Sequence, residues 1–281
     1  MRRRRVLLTG ATGLLAPYLV AGMSASFDVV TTARRDGDVR CDLTAADAVN
    51  ALVADVRPDV VVHAAALTDV DACERCPDAA AAANVGTTER LVATLPPGTP
   101  VVLLSTDQVY RDVAGPHAES DVGPVNVYGR TKLESERAAL RRDSALVLRL
   151  NFFGPSRTAG RTSLSDVVID RVSSGAGMTG FSDLLFSPLH MVTLSDVVTT
   201  AIDRGLTGTF NVGSRRGTTK LDFARAVARQ HGLDAGLVRS GCSAEVATRA
   251  PRAHDLRMDV THLEDALAMT MPTLDEEIAK L

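Results

Sequence analysis

The chain has 281 residues, a formal net charge of -3 and a hydrophobic content of 45%. Those values allow one large α/β domain, or a nucleotide domain with a smaller cap. They give no global electrostatic case for binding nucleic acid or a membrane surface, and no run of about 18 apolar residues is present to span a bilayer.

Arg2 to Arg5 make a basic start, but the apolar run behind them (Val6, Leu7, Leu8) stops at Thr9-Gly10, too short for a signal-peptide core. The reading is a solvated N-terminus running into a first strand, Arg4 to Thr9. Gly10-Ala11-Thr12-Gly13-Leu14-Leu15-Ala16 follows, and then a helical apolar pattern. Strand, glycine turn and helix are the context of a dinucleotide-binding fingerprint. Gly10 and Gly13 permit a sharp turn and close approach to a pyrophosphate at the helix N-terminus. Thr12, Leu14 and Leu15 of the same turn join the expected cofactor contacts, and Ala16 is small enough for close helix–strand packing.

The second strand is Phe27 to Ala33, and it runs out into Arg34-Arg35. Dinucleotide binders that use NAD place an acid about 20 residues past the glycines, on the ribose 2′-hydroxyl. Two guanidiniums instead suit a 2′-phosphate through charge-assisted contacts, which favours NADPH over NADH. The alternative is that Asp36 or Asp38 takes the ribose. Asp42-Leu43-Thr44 precedes a helix over Ala45 to Arg57; Asp42 either caps that region or bonds an adenine amino group, with Leu43 beside it.

Asp59 to His63 forms a third strand, ending in Ala64-Ala65-Ala66, where small side chains let a cofactor lie against the backbone. His63 at a strand end is read as packed and hydrogen-bonded. The four cysteines are Cys41, Cys73, Cys76 and Cys242. Cys73-Glu74-Arg75-Cys76 has zinc or redox spacing but no second such pair, so reduced thiols in a cytoplasmic protein are the economical reading and no metal is expected. A helix is predicted from about Ala79 to Leu95, containing Asn84 and stopped by Pro96-Pro97-Gly98.

Val101 to Leu104 is a fourth strand that delivers Ser105-Thr106-Asp107 at its C-terminal end, where ligands of open parallel sheets sit. After a turn-rich stretch from Tyr110 to Asn126, a helix from Val127 to Arg142 carries Tyr128-Gly129-Arg130-Thr131-Lys132. Tyr128 and Lys132, four apart, share one helix face. An ammonium beside a phenol favours the phenolate, which makes the tyrosine a proton donor usable near neutral pH. Ala145 to Leu150 is the next strand. Strands alternating with helices predict an α/β fold, a Rossmann-like doubly wound parallel sheet.

Beyond it, Gly154 to Arg161 is either a mobile loop presenting arginines, Arg161 among them, to a substrate phosphate, or a solvated loop. Later helices near Leu194–Arg204 and Leu221–His231 complete the sheet and build a smaller cap. The division expected is 1–150 for the dinucleotide domain with a returning segment near 188–212, and 151–187 with 213–281 for an α/β substrate domain.

Taken together these residues resemble the extended short-chain dehydrogenase/reductase superfamily, and within it the dTDP-4-dehydrorhamnose reductase family. The resemblance covers nearly the whole chain. It rests on Gly10-x-x-Gly13, Val61 to Asp71, Leu104-Ser105-Thr106-Asp107-Gln108-Val109-Tyr110, and Asn126 to Lys132. The later part adds Asp183 with Ser187-Pro188, Asn211-Val212-Gly213, Leu256 to Val260 and Met271-Pro272-Thr273-Leu274. It implies Thr106, Tyr128 and Lys132 as the catalytic set, with Ser105, Tyr128 and Lys132 also touching the cofactor. On the substrate side it implies Thr68, Thr106, Asn151, Phe152, Arg161 and Ser187.

The reaction implied is reduction of the C4 carbonyl of a nucleoside-diphosphate 4-keto-6-deoxysugar by a nicotinamide. Hydride arrives at the carbonyl carbon, Thr106 holds the oxygen as charge grows on it, and Tyr128 supplies the proton. Lys132 orients the nicotinamide ribose and lowers the Tyr128 pKa. No nucleic acid or membrane partner is implied, and a homodimer stays open.

Departures bear on the sugar. The family's Arg-Thr-Ser-Trp pattern reads here Arg149-Leu150-Asn151-Phe152-Phe153, and its Asp-Gln pair reads Asp183-Leu184. An indole donor and an amide are therefore missing, which changes the hydroxyl pattern tolerated. Two rivals remain: an epimerase on the same fold, and a non-catalytic NADP-binding regulatory subunit. Dehydration is disfavoured, because Gln108 stands where a dehydratase carries a glutamate base.

Overall fold

Short, wholly apolar runs make strands that are covered on both faces, the pattern of a parallel sheet. Val60–His63, Val101–Leu104 and Ala145–Leu150 are buried at every position. In this computed structural model, which describes residues 2–246 and 249–281, the first strands are β1 (Arg5–Thr9), β2 (Asp28–Ala33), β3 (Val39–Arg40), β4 (Val60–His63), β5 (Val101–Leu104) and β6 (Ala145–Leu150). They are followed by β7 (Phe152–Phe153), β8 (Met178–Phe181), β9 (Leu185–Phe186), β10 (Leu189–His190), β11 (Gly208–Val212), β12 (Thr218–Thr219), β13 (Val238–Gly241) and β14 (Asp255–Leu256).

The main sheet has seven strands in the order β11-β6-β5-β4-β1-β2-β3, and every pairing in it is parallel. The order reverses between β1 and β4, which opens a crevice beyond their C-terminal ends. There Thr9 stands level with Thr32 on one side and His63 on the other. This is the doubly wound sheet expected from the sequence. The two-residue strand β3 was not anticipated; it is held only by pairing with Thr32 and Ala33.

Helices α1 (Ala16–Met23), α2 (Ala46–Val56), α3 (Val70–Arg75), α4 (Pro77–Ala81), α5 (Thr87–Thr94) and α6 (Val127–Ala139) accompany the first six strands. The helix predicted over 79–95 is interrupted by a π-turn at Ala82–Gly86. Its cause is Asn84, which is buried, accepts from the Leu67 N–H at 2.8 Å and donates to the Leu67 carbonyl at 3.2 Å and to Thr131 Oγ1 at 2.9 Å. Such bulges arise where a side chain is drawn out of register by tertiary bonding. The paired cysteines divide: Cys73 is buried with its thiol pushed up to about 11 by burial, and Cys76 is exposed.

The remaining helices are α7 (Leu164–Ser173), α8 (Met191–Asp203), α9 (Lys220–Gln230), α10 (Thr261–Leu267) and α11 (Leu274–Ile278). Helix α8 returns to the sheet and lies along α1, where the Ser195 hydroxyl donates to the Tyr18 carbonyl at 2.8 Å. Residues Leu256, Met258, Leu263, Leu267 and Met271 join the same core as β1 and α1. A second core gathers Phe153, Phe186 and Phe223 edge to face at 5.0 and 5.3 Å, with Val168 and Val172 of α7 and Val227 of α9. Among the described residues no helix is long and apolar enough to cross a membrane.

Candidate active site

The crevice beyond β1, β2 and β4 is a cleft of about 500 Å³ lined by Gly10, Thr12, Gly13, Arg34, Asp42, Leu43 and Ala64 to Ala66. Gly10 has φ +80°, and a Cβ on it would stand 2.8 Å from the Ala65 N–H nitrogen, so only glycine lets the turn close on the neighbouring strand end. Leu15 is the N-cap of α1, and the first turn keeps no spare donor: Ala16 N–H bonds the Gly13 carbonyl, Pro17 has no N–H, and Tyr18 and Leu19 N–H bond the Leu15 carbonyl. Thr32 Oγ1 lines the cleft side, buried and without a hydrogen-bond partner. A dinucleotide fits this lining: a glycine cradle, small alanine side chains, an orphaned threonine hydroxyl and a guanidinium.

Several expected cofactor residues sit elsewhere. Leu14 is half-buried against the core, Leu15 is buried, and Arg35 is exposed; none lines the cleft. Of the two acids proposed as alternatives for the ribose, Asp38 is spent on the Thr31 N–H and hydroxyl at 2.9 and 2.8 Å. Asp42 accepts from Thr44 N–H at 2.9 Å, shaping the turn before α2 while its residue lines the cleft. Its side chain does not cap the helix, whose N-cap is Ala45.

The 154–161 loop is laid over the glycine turn. The Thr158 hydroxyl donates to the Gly13 carbonyl at 3.1 Å, the Tyr18 phenol donates to the Pro155 carbonyl at 2.6 Å, and Arg157 stacks 4.1 Å from the Tyr18 ring centroid. Arg161, expected at the substrate, lines the cleft at the glycine turn.

Past β5 the chain turns through Ser105, Thr106 and Asp107 and meets α6. Asn126 caps α6 by accepting from the Gly129 N–H at 2.8 Å. A Cβ on Gly129 would run into the Gln108 carbonyl oxygen, so this glycine brings the helix against the Thr106 turn. Thr106, Tyr128 and Lys132 are all buried. Burial raises the Tyr128 pKa above its ordinary 10.0, against a lowering by the Thr106 hydroxyl; Asp107 and Cys73 push it further up. The sequence argument that Lys132 eases Tyr128 ionisation is corrected here. Lys132 donates to the Leu104 carbonyl at 2.7 Å, and burial pulls its own pKa down to about 8, with Glu136 opposing.

Ser105, expected at the cofactor, donates its hydroxyl to Glu136 in the core. Glu136 also takes Arg149, whose Nη1 reaches Tyr110 at 3.3 Å and the Glu119 carbonyl at 2.5 Å. Tyr110 in turn bonds Asn211, which donates to the His117 and Asp259 carbonyls at 2.9 Å each. His63 bonds Thr9 Oγ1 at 2.7 Å, and burial holds its pKa down at about 3, so it is a neutral packed imidazole as read from the sequence.

Beside Asp107 lies a second cavity of about 260 Å³, lined by Asp107, Gln108, Asn151, Leu184, Phe186, Lys220, Arg249 and Arg252. Asn151 donates to Asp107 at 2.6 Å. Other residues expected at the substrate stand outside its wall. Thr68 is exposed, Phe152 pairs with Leu189 and packs on the core, and the Ser187 hydroxyl accepts from the Met258 N–H at 3.3 Å. Asp183 is engaged by Ser243 N–H and hydroxyl at 2.9 and 2.7 Å, while Leu184 faces the cavity. Lys220, Arg249 and Arg252 were missed by the sequence reading. One signal was available: the chain has three lysines, Lys132, Lys220 and Lys280, among 31 Lys and Arg residues.

A family model described as the RmlD substrate binding domain matches residues 4–281. The chain is 33% identical over 256 residues to a Streptomyces antibioticus protein named a probable dTDP-4,6-dihydroxy-2-methyloxan-3-one 4-ketoreductase, covering 88% of this chain and 84% of that one. It is 31% identical over 276 residues to the mouse methionine adenosyltransferase 2 subunit beta, covering 93% and 82%. In fold it is similar to a Bacillus anthracis dTDP-4-dehydrorhamnose reductase solved in complex with NADP, with a TM-score of 0.90, 21% identity and coverage of 99% and 98%.

Proposed function

We propose that this chain, which belongs to the RmlD substrate-binding-domain family by its match over residues 4–281, is an NADPH-dependent reductase of the C4 keto group of a nucleoside-diphosphate 4-keto-6-deoxysugar. The observation that carries the reading is that buried Tyr128 hydrogen-bonds buried Thr106, with Lys132 buried on the same helix, in a chain that also has a cleft at its glycine turn and a second cavity lined by Asp107. In this reading residues 1–150 with 188–212 hold the dinucleotide, and the remainder holds the sugar nucleotide.

Gly10, Thr12 and Gly13 hold the pyrophosphate, Arg34 the 2′-phosphate, and Ala64 to Ala66 let the cofactor lie against the backbone. The bound nicotinamide supplies the hydride. Thr106 donates to the substrate carbonyl oxygen, and Tyr128 hands that oxygen a proton. The high pKa of Tyr128 keeps the proton on the phenol until charge develops on the neighbouring oxygen. Lys132 lies one turn along the same helix, carries positive charge below about pH 8, and in this reading orients the nicotinamide ribose. Asp107 and Asn151 hold sugar hydroxyls, and Arg249 and Arg252 supply positive charge for the diphosphate.

The test is NADPH oxidation across a panel of nucleoside-diphosphate 4-ketosugars, with wild type and Tyr128→Phe. The expected result is turnover of at least one ketosugar and a loss of about a hundredfold or more in the Phe variant; unchanged turnover would remove Tyr128 from the chemistry. A second reading, a regulatory subunit that binds NADP without turnover, is favoured by the likeness to the methionine adenosyltransferase subunit. It is supported if no ketosugar is reduced and the chain co-purifies in fixed stoichiometry with an enzyme partner. Isomerisation without net NADPH consumption would support the epimerase.

A further inference from the structure

Lys220 opens α9 directly after its N-cap Thr219. Its backbone N–H donates to the Leu184 carbonyl at 2.8 Å, and its ammonium lies 3.1 Å from the centroid of the Phe186 ring, in the wall of the second cavity. Among the described residues that ammonium has neither a hydrogen bond nor an ion-pair partner. Lys220 is half-buried, and its ammonium rests on the Phe186 ring in a cavity lined also by Leu184, Leu185 and Ala224, so the side turned to the cavity is open to a ligand oxygen.

The other two cations of the cavity, like Lys220, have contacts within the protein. Arg252 pairs with Asp71 of α3 at 3.0 Å, and Arg249 stacks 4.9 Å from the Phe181 ring centroid. The charged groups that face Lys220 are Asp107 from the turn after β5 and these two arginines from the C-terminal segment. Asp107 attracts it. The same Asp107 accepts from Thr106 Oγ1 at 3.1 Å and from Asn151 at 2.6 Å, so Lys220 belongs to the part of the cavity that adjoins the reacting carbonyl.

We propose that Lys220 is a specificity-determining residue of the substrate pocket, donating to a ring oxygen substituent of the sugar that Asp107 and Asn151 hold from the other side. The inference rests on the ketosugar reading above. A carboxylate and an ammonium facing one another across a small cavity make an acceptor and a donor at a fixed spacing. That pair selects sugars with neighbouring hydroxyls in matching orientation and penalises those that leave either ion unpaired. Leu184, adjoining Lys220, offers no donor of its own, so the lysine is the polar reader on that wall.

Burial pulls the lysine down to about 7; Asp107 opposes the fall, and Arg249 and Arg252 add to it. The donor is therefore full below that pH and is lost as pH rises through it.

The test is calorimetric titration of the full chain with dTDP-rhamnose and with dTDP, below and above about pH 7, for wild type, Lys220→Met and Lys220→Arg. Wild type is expected to prefer the sugar nucleotide over dTDP below that pH and to lose much of the preference above it. The terminal phosphate of dTDP itself titrates at about 6 in every variant; beyond that shared change, Lys220→Met is expected to lose about tenfold or more of the preference and to show no further pH dependence. Lys220→Arg, which does not titrate, is expected to hold its preference across the range. A Met variant with the wild-type ratio and pH dependence overturns the proposal while leaving the ketosugar reading in place. Equal weakening of dTDP and dTDP-rhamnose also overturns it, since the lysine then serves the diphosphate. Failure of wild type to bind either ligand removes the ketosugar reading and this inference with it.

Discussion

The Arg149 guanidinium meets the Glu136 carboxylate at 2.7 Å, with 5% and 2% of the two side chains exposed. Glu136 stands four residues after Lys132 on α6, on the face where its negative charge opposes the burial that pulls Lys132 down to about 8. Glu136→Gln leaves Arg149 charged and unmatched, so we expect a loss of about 3–5 kcal/mol in urea denaturation. Removing the anion also lowers Lys132 further, so NADPH binding should lose its dependence on the ammonium at a lower pH than in wild type. The double change Glu136→Leu with Arg149→Met should recover most of the stability but not the pH position. A single variant as stable as wild type would show the pair to be inert.

Gly129 permits the contact between α6 and the Thr106 turn. Gly129→Ala places a methyl group against the Gln108 backbone carbonyl, which cannot swing aside as a side chain would. The expected costs are about 1–3 kcal/mol in stability and a fall in kcat larger than any change in NADPH affinity, because the glycine lies between the Tyr128 helix and Thr106 and not in the cleft. Thermal melting and steady-state kinetics on one preparation separate the two effects.

Arg34 lines the cleft while Asp38 is committed to Thr31. Arg34→Ala should weaken NADPH by about ten- to hundredfold and leave NADH within a small factor. Fluorescence titration with both cofactors reads the ratio. Equal losses for both would move the 2′-phosphate away from Arg34.

His63 offers a test by pH. Its pKa is lowered from 6.5 to about 3 by burial, with Lys132 adding to the shift. The unfolded chain takes up a proton near 6.5 that the folded chain refuses, so this contribution is fully present above about 6.5 and is lost as pH falls towards about 3. Its slope is roughly 1.4 kcal/mol per pH unit within that window. His63→Asn removes the titrating group, and its stability measured by urea denaturation should fall less steeply with acidification than wild type.

Much of the fold was legible because its strands are uniform in character. Val101–Leu104 and Ala145–Leu150 are unbroken apolar runs between turn residues, and burial on both faces leaves no alternation to misread. The glycine turn and the Tyr128 helix were legible because each motif is local. The π-turn at Ala82–Gly86 was not, since Asn84 is displaced by partners at Leu67 and Thr131, far along the chain. Ser105 was a cofactor contact by the family resemblance, but Glu136, supplied from the next helix, accepts from its hydroxyl. Lys220, Arg249 and Arg252 share a cavity with Asp107 only because a helix start and a C-terminal segment are folded back over the end of β5. No spacing in the sequence encodes that meeting.

The bonds from Asn211 of β11 to the carbonyls of His117 and Asp259, and from the Met258 N–H to the Ser187 hydroxyl, stitch distant segments of the chain together. Exchange of substrate pockets between relatives therefore has no clean junction. A chimera cut after β6 would carry away the edge strand and the helix that complete the nucleotide-side core. One cut before β14 would orphan the polar groups that the final segment satisfies. In a chain knitted this way, the cavity wall can vary by point changes, while exchange of whole lobes would break the bonds that join them.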